Sequence, residues 1–249
     1  MLISETGAFE FGVDSQASFR AMMGKRVLIT GVTSRHGVDI ARSFAEAGAR
    51  VILQSDEASP AIQALAEILA PVAAELSLHA ARVRSSAEIV TFARHVVAEF
   101  GGLDMVINLV DLDGTAPLST ASYDDVEACV SEVLLKACLV SRVAANRMRL
   151  TLIDGVVLTI ATLGADASSG ERAFAGVVRA TLAAMTRREA EAWAGQGIRF
   201  NAVAPDVSGL ANGALGGEIE VAQLAMYLGG GHGKTLSGHT FELALLARD

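Results

Sequence analysis

Short apolar runs alternate with longer helix-forming stretches along most of this 249-residue chain. The runs, rich in branched side chains, lie at 26–30, 50–54, 76–80, 105–108, 155–161, 198–203 and 239–245. Helices are predicted between them, and the two longest cover about 122–149 and 173–195. Nearly continuous apolar strands that alternate with helices indicate a parallel sheet covered on both faces. We therefore expect an α/β fold of the doubly wound kind, with its crevice at the carboxyl ends of the strands.

The length of the chain fits one α/β domain, since such folds often reach this size undivided. The sequence contains no internal repeat and no proline-rich linker that would divide it. We expect a Rossmann-like domain of three αβα layers over residues 24–249. Residues 1–23 precede the first strand as an N-terminal extension, to which the sequence assigns no role.

Composition and charge exclude several classes of function. A hydrophobic content of 51% with 19% charged residues is typical of a well-packed globular protein. The net charge of −8 argues against nucleic acid as a partner, because no basic face is evident. No apolar stretch has membrane-spanning length, and the N-terminus does not resemble a signal peptide.

The cysteines and histidines are few. Cys129 and Cys138 are placed on opposite faces of one predicted helix, so they are not expected to pair, and a cytoplasmic location follows. The five histidines show no metal-ligand spacing, so no metal site is expected.

Several strands are followed by polar or glycine residues in a recurring order. Thr30 and Gly31 end the first strand, Asn108 ends the strand at 105–108, and Thr162 follows the strand at 155–161. Together with the segment at 197–205, these residues and their places along the chain resemble the sequence pattern of the short-chain dehydrogenase/reductase family, and within it that of the 3-oxoacyl-acyl-carrier-protein reductases. The resemblance covers nearly the whole chain and implies an oxidoreductase fold built to use NAD(P).

The catalytic residues of that family are replaced in this chain. The family pattern is a serine, twelve residues, a tyrosine, three residues and a lysine, and here these positions hold Thr162, Ala175 and Arg179. Alanine has no proton to transfer, and arginine titrates too high to relay one. We therefore assign no catalytic residue, since loss of the acid alone costs about 10²–10⁴ in rate.

The first turn of the resembled family has three glycines that let the backbone approach a pyrophosphate. Gly31 and Gly37 keep the outer two, but Arg35 replaces the middle one. One interpretation is that the two glycines remain for the tight turn and for packing of helix on strand. The other is retained dinucleotide binding, in which Arg35 pairs with phosphate.

Other cofactor positions implied by the resemblance are altered too. The ribose position falls on Ser55, with Asp56 next to it, and the adenine position falls on Arg82. Of the family's Asn-Asn-Ala-Gly motif only Asn108 remains, a residue that also ties strands together. The candidate cofactor residues are thus Gly31, Arg35, Gly37 and Asn108. No cofactor is expected to bind tightly, although NAD(P) is still possible.

The segment that closes over substrate in the resembled family is short here. About a dozen residues separate Pro205 from the last predicted helix near Glu218, and Asp206 stands where a glycine is usual. By contrast, the helix at 173–195 is small or apolar around much of its circumference, which requires a partner on its second side. In the family this helix packs between subunits.

Our leading hypothesis is a catalytically silent or impaired homologue that serves as an assembly subunit. It would form a homo-oligomer or join an active paralogue. An alternative is an active oxidoreductase on a carbonyl or acyl-thioester, with a relocated acid and with Thr162, Arg179 and Asp206 as polar contacts. A third is a sensor that binds a nucleotide or metabolite without reaction.

Overall fold

A computed structural model describes residues 2–3, 9–10, 15–115, 122–208 and 214–246. Seven parallel strands form the main sheet: β3 (Arg26–Thr30), β4 (Arg50–Ser55), β5 (Glu75–Ala80), β6 (Met105–Asp111), β7 (Val156–Thr162), β8 (Arg199–Pro205) and β9 (Thr240–Leu243). Their order is β5-β4-β3-β6-β7-β8-β9. The strands β1 (Leu2–Ile3) and β2 (Phe9–Glu10) form a separate antiparallel pair.

Helices cover both faces of the sheet, as the sequence predicted. They are α1 (Ser15–Arg20), α2 (Val38–Glu46), α3 (Pro60–Leu69), α4 (Ser86–Glu99), α5 (Tyr123–Leu150), α6 (Ser169–Trp193) and α7 (Glu218–Gly229). The strand order reverses between β3 and β6, which creates a crevice at their carboxyl ends. The doubly wound α/β fold is therefore confirmed.

The strands alternate their side chains between two apolar layers. Val27 and Ile29 of β3 pack with α2, α3 and α7, whereas Leu28 packs with α4 and α5 on the other face. All seven residues of β7 are buried, as expected for a central strand covered on both sides. A third cluster, which includes Phe174 and Ala175, fills the space between α5, α6 and the ends of β6 and β7.

Helix α6 begins four residues before the predicted start at 173. Its N-cap is Ser168, whose side chain accepts from the Glu171 backbone N–H at 3.2 Å, while the Glu171 carboxylate accepts from the Ser168 N–H at 2.8 Å. This reciprocal pair is a capping box, which satisfies two otherwise unpaired amides of the first turn. The serine and the glutamate three residues later are the sequence signal that marks the true start.

The part of the N-terminal segment from α1 onward packs onto the domain. Helix α1 lies against α7, and Met22 is only 1% exposed within the first apolar layer. Both cysteines are free and half-buried. None of the helices within the described ranges is long and apolar enough to cross a membrane.

Candidate functional site

The crevice at the switch between β3 and β6 is the principal candidate site. It is an open cavity of about 530 Å³, walled by the ends of these strands and by one face of α5. Gly31, Asp111 and Asp56 lie on the strand side, and Lys136 and Val133 lie on the helix side. Its position matches the crevice that the sequence predicted.

Close contact with Leu109 leaves no room for a side chain at two glycines of the first turn. Gly31 has φ +76°, and a Cβ on it would lie 2.3 Å from the Leu109 carbonyl oxygen. Gly37 has φ +87°, and a Cβ on it would lie 2.3 Å from Leu109 Cδ1. Packing of the turn on β6 and a left-handed backbone therefore account for both glycines without any ligand. Leu109 stands where the resembled family has its second asparagine.

The N-terminus of α2 is occupied by a side chain from the other end of the chain. The Glu218 carboxylate, at the start of α7, accepts from the Gly37 N–H at 2.6 Å and from the Asp39 N–H at 3.2 Å. Such a helix N-terminus is where a dinucleotide fold holds pyrophosphate, because free amides and the helix dipole favour an anion. Here the protein supplies that anion itself.

The Glu218 carboxyl is largely shielded from solvent. Burial raises its pKa above the ordinary value, by more than the two amide donors and nearby His36 lower it. His36 Nδ1 lies 3.9 Å from Glu218 Oε1. In the sequence Glu218 marks only the start of a helix, because Gly37 lies 181 residues away.

Arg35 and Asn108 differ in their surroundings. Arg35 is exposed on the turn, where its backbone N–H donates to Thr33 Oγ1 at 3.2 Å, and it is not among the crevice-lining residues of the described chain. Asn108 is fully buried; its Oδ1 accepts from Thr30 Oγ1 at 3.0 Å, and its Nδ2 donates to Ser141 Oγ at 2.9 Å. Asn108 thus ties β3 and α5 to β6.

The ribose and adenine side of the crevice is bridged by charged residues. Asp56 accepts from Gln54 Nε2 at 2.8 Å through one oxygen and from Lys136 Nζ at 2.5 Å through the other. Arg82 lines the crevice beside this pair, while Ser55 is fully buried. The acid that would read a ribose is therefore held by a lysine of α5.

The three positions of the catalytic pattern are tied into the structure. Thr162 is 4% exposed, and Ala175 is fully buried in the third apolar cluster. The Arg179 guanidinium donates to the Glu242 carboxylate of β9, so its charge is neutralised in an ion pair. No group at position 175 can exchange a proton with a substrate oxygen.

Asp206 takes part in a local turn. Its Oδ1 accepts from the Ser208 N–H at 3.0 Å and from Ser208 Oγ at 2.6 Å. Of the short segment at 206–217, residues 209–213 lie outside the described residues. Leu215 is bonded to β9, because its N–H donates to the Glu242 carbonyl oxygen at 2.8 Å.

Three residues that sequence spacing did not connect meet at the rim of the crevice. His36 Nε2 lies 3.6 Å from Asp111 Oδ2, and one ligand atom from each of His36, Asp111 and Asp113 lies within 4.8 Å of the other two. Asp111 is also the register partner of Thr162 across β6 and β7. Asp111 stands at the last position of the altered asparagine motif, and Asp113 lies two residues beyond it.

The outer face of α6 presents a line of small apolar residues. Ala173, Val177, Ala180 and Ala184 are all exposed and recur every three or four positions, so they share one side of the helix. Val177, the largest of the four, is 43% exposed. A separate groove of about 310 Å³ opens between α5 and α6, and its α6 wall is formed by other residues of the helix, Met185 among them.

Residues 31–240 match the family model described as enoyl-(acyl carrier protein) reductase. D-threitol dehydrogenase of Mycolicibacterium smegmatis is 28% identical over 202 residues, 81% of this chain and 76% of that protein. D-beta-hydroxybutyrate dehydrogenase of Cupriavidus necator is 26% identical over 183 residues, 73% of this chain and 70% of that protein.

Solved structures share the fold at lower identity. A 7α-hydroxysteroid dehydrogenase, solved with NADH and a 7-oxo bile acid, gives a TM-score of 0.74 at 19% identity and covers 91% of this chain and 95% of its own. A citronellol catabolism dehydrogenase of Pseudomonas aeruginosa gives 0.73 at 24% identity, with 90% and 95% covered.

Proposed function

Because this chain belongs to the short-chain dehydrogenase/reductase family, we propose that it is a catalytically silent member that serves as an assembly subunit. It forms a homo-oligomer or joins an active paralogue. Its fold keeps the family's frame, while the positions that bind cofactor and transfer protons serve the protein's own packing.

The observation that carries this proposal is the Glu218 carboxylate at the N-terminus of α2. It accepts from the Gly37 and Asp39 amides, the same donors that a pyrophosphate would need. A diphosphate that approached this end of the helix would have to displace a carboxylate and would be repelled by it. A second loss adds to this, because Ala175 offers no acid.

The α6 surface supports the assembly role. Its exposed line of Ala173, Val177, Ala180 and Ala184 lets a second helix approach closely, since small side chains keep the backbones near each other. A separate groove between α5 and α6 exposes further apolar side chains, Met185 among them. An active enzyme and a silent partner both need this surface, so its retention does not depend on catalysis.

Sedimentation velocity of the purified chain tests the assembly role. We expect an oligomer that Ala180→Glu dissociates, because a buried carboxylate without a partner opposes association. Ala61→Glu is the matched control, since Ala61 is an exposed alanine on α3 at a distance from this surface. A monomeric wild type that also fails to associate with co-expressed paralogues would refute the role.

A second candidate function is an active oxidoreductase with a relocated acid. Asp111 favours it, because this residue ends β6 in register with Thr162 and its carboxylate lies 3.6 Å from His36. Under this alternative the protein turns over a carbonyl or acyl-thioester with NAD(P)H, and Asp111→Asn and Thr162→Val each abolish turnover. A measured activity that neither substitution changes counts against it.

A further inference from the structure

Two histidines and a glutamate meet at the β5 edge of the sheet, the edge opposite to β9. His79 belongs to the edge strand β5, and His95 and Glu99 stand four residues apart on α4. Residues at this spacing share one face of a helix. His79 Nε2 and Glu99 Oε2 are 2.7 Å apart, and the ring centres of His79 and His95 are 5.7 Å apart.

We propose that His79, His95 and Glu99 form a binding site for a divalent transition metal of the zinc class. One ligand atom from each residue lies within 4.8 Å of the other two. Zinc takes imidazole nitrogen at about 2.0–2.1 Å and carboxylate oxygen at about 2.0–2.2 Å. Tetrahedral ligands at these lengths are about 3.3 Å apart, so small side-chain rotations bring this set around one ion.

The chemistry of the donors favours zinc over magnesium or calcium. Two imidazoles and one carboxylate suit zinc, copper or nickel, whereas magnesium and calcium prefer an all-oxygen shell. His95 and Glu99 are exposed, so water can complete the coordination. A site of three protein ligands with an open position is a recognised zinc arrangement.

Neighbouring side chains hold two of the three ligands in place. His79 Nε2 lies 2.7 Å from Glu99 Oε2 and 3.5 Å from Ser77 Oγ. Phe92 packs edge-on against the His79 ring at 5.8 Å between centres, which restricts the ring. Ligands that are already oriented bind metal with less reorganisation, and the proton of the His79–Glu99 hydrogen bond is released when the metal binds.

A simple ion pair does not account for the whole group. The contact of His79 with Glu99 uses two of the three residues, and among the described residues none hydrogen-bonds to the His95 imidazole. The His95 ring packs edge-on against the His79 ring, and one ring nitrogen of His95 lies within 4.8 Å of a ligand atom of both His79 and Glu99. A metal ion would engage all three and join α4 to the edge strand.

Zinc titration of the full-length, metal-stripped and untagged chain by calorimetry tests the site. We expect one saturable site per chain, and at least about tenfold weaker binding in His95→Ala and in Glu99→Gln. His239→Ala is the matched control, since His239 is another exposed histidine remote from the group. Magnesium at the same concentrations is expected to give no binding.

Melting temperatures give a second readout that does not depend on the calorimetric fit. A metal that binds only the folded chain raises the melting temperature of the wild type and of His239→Ala, but not of His95→Ala. His95 and Glu99 are exposed, so these variants are expected to fold. Absent saturable binding, or equal zinc affinity in His95→Ala and His239→Ala, overturns the proposal. Neither result bears on the cofactor crevice.

Discussion

Removal of the Glu218 carboxylate is the perturbation that best separates a closed cofactor site from an open one. In Glu218→Ala the amides of Gly37 and Asp39 lose an acceptor at 2.6 and 3.2 Å. Loss of a helix cap costs about 0.5–2 kcal/mol. Water can reach the open crevice and replace part of the lost bonding, so we expect a loss of about 1 kcal/mol at pH 7.

The cost depends on pH, with a sign set by the raised pKa of Glu218. A carboxyl whose pKa is higher in the folded than in the unfolded chain contributes most below the unfolded value, about 4.3, and that contribution is lost as pH rises through the folded pKa. The difference in unfolding free energy between wild type and Glu218→Ala is therefore larger near pH 4 than at pH 7.

Urea unfolding at both pH values measures this difference, and thermal melting with inorganic pyrophosphate tests the vacated helix end. Pyrophosphate is expected to raise the melting temperature of Glu218→Ala and to leave the wild type unchanged. Glu67→Ala is the control, since Glu67 is an exposed glutamate on α3. Equal stabilisation of wild type and Glu218→Ala by pyrophosphate would refute the reasoning.

Three further substitutions test the packing of the site and the frame, each by urea unfolding. Gly31→Ala is expected to cost at least about 2 kcal/mol, because the backbone is left-handed and the new Cβ meets the Leu109 carbonyl; a neutral effect would contradict this. Ala175→Tyr places a phenol in a fully buried position, so it is expected to cost about 1–3 kcal/mol and to restore no turnover with NAD(P)H. Asp104→Asn is expected to cost about 1–2 kcal/mol at pH 7, since Arg26 donates to Asp104 at 2.8 Å. Burial acts to raise the pKa of Asp104, but Arg26 holds it below its ordinary value. The loss of stability in Asp104→Asn therefore becomes smaller as the pH falls through the folded pKa of Asp104. A loss that does not change with pH would argue against this ion pair.

The fold was predictable because its signals are local. Each central strand is a short run of branched apolar residues, and each long helix has a periodic apolar face. The apolar pattern alone puts the start of α6 at residue 173, four residues late. The serine–glutamate pair at 168 and 171 marks the observed start. A capping signal lies outside the apolar period, so pattern alone misses it.

The residues of the site could be predicted only where a family position holds a residue that cannot transfer a proton. Ala175 in place of a tyrosine is visible in the sequence, whereas Glu218 at the α2 N-terminus is not. Glu218 and Gly37 are 181 residues apart, and only the assembled fold brings α7 to α2. The meeting of His36 with Asp111 depends in the same way on the pairing of β3 with β6.

Titration of the purified wild-type chain with NADH and NADPH, followed by nicotinamide fluorescence, shows whether the crevice still takes a cofactor. We expect no saturable binding of either cofactor, because Glu218 holds the amides that would receive the pyrophosphate. Saturable binding without turnover would instead favour a nucleotide sensor. A micromolar dissociation constant together with reduction of a carbonyl substrate would show that the protein is an active oxidoreductase.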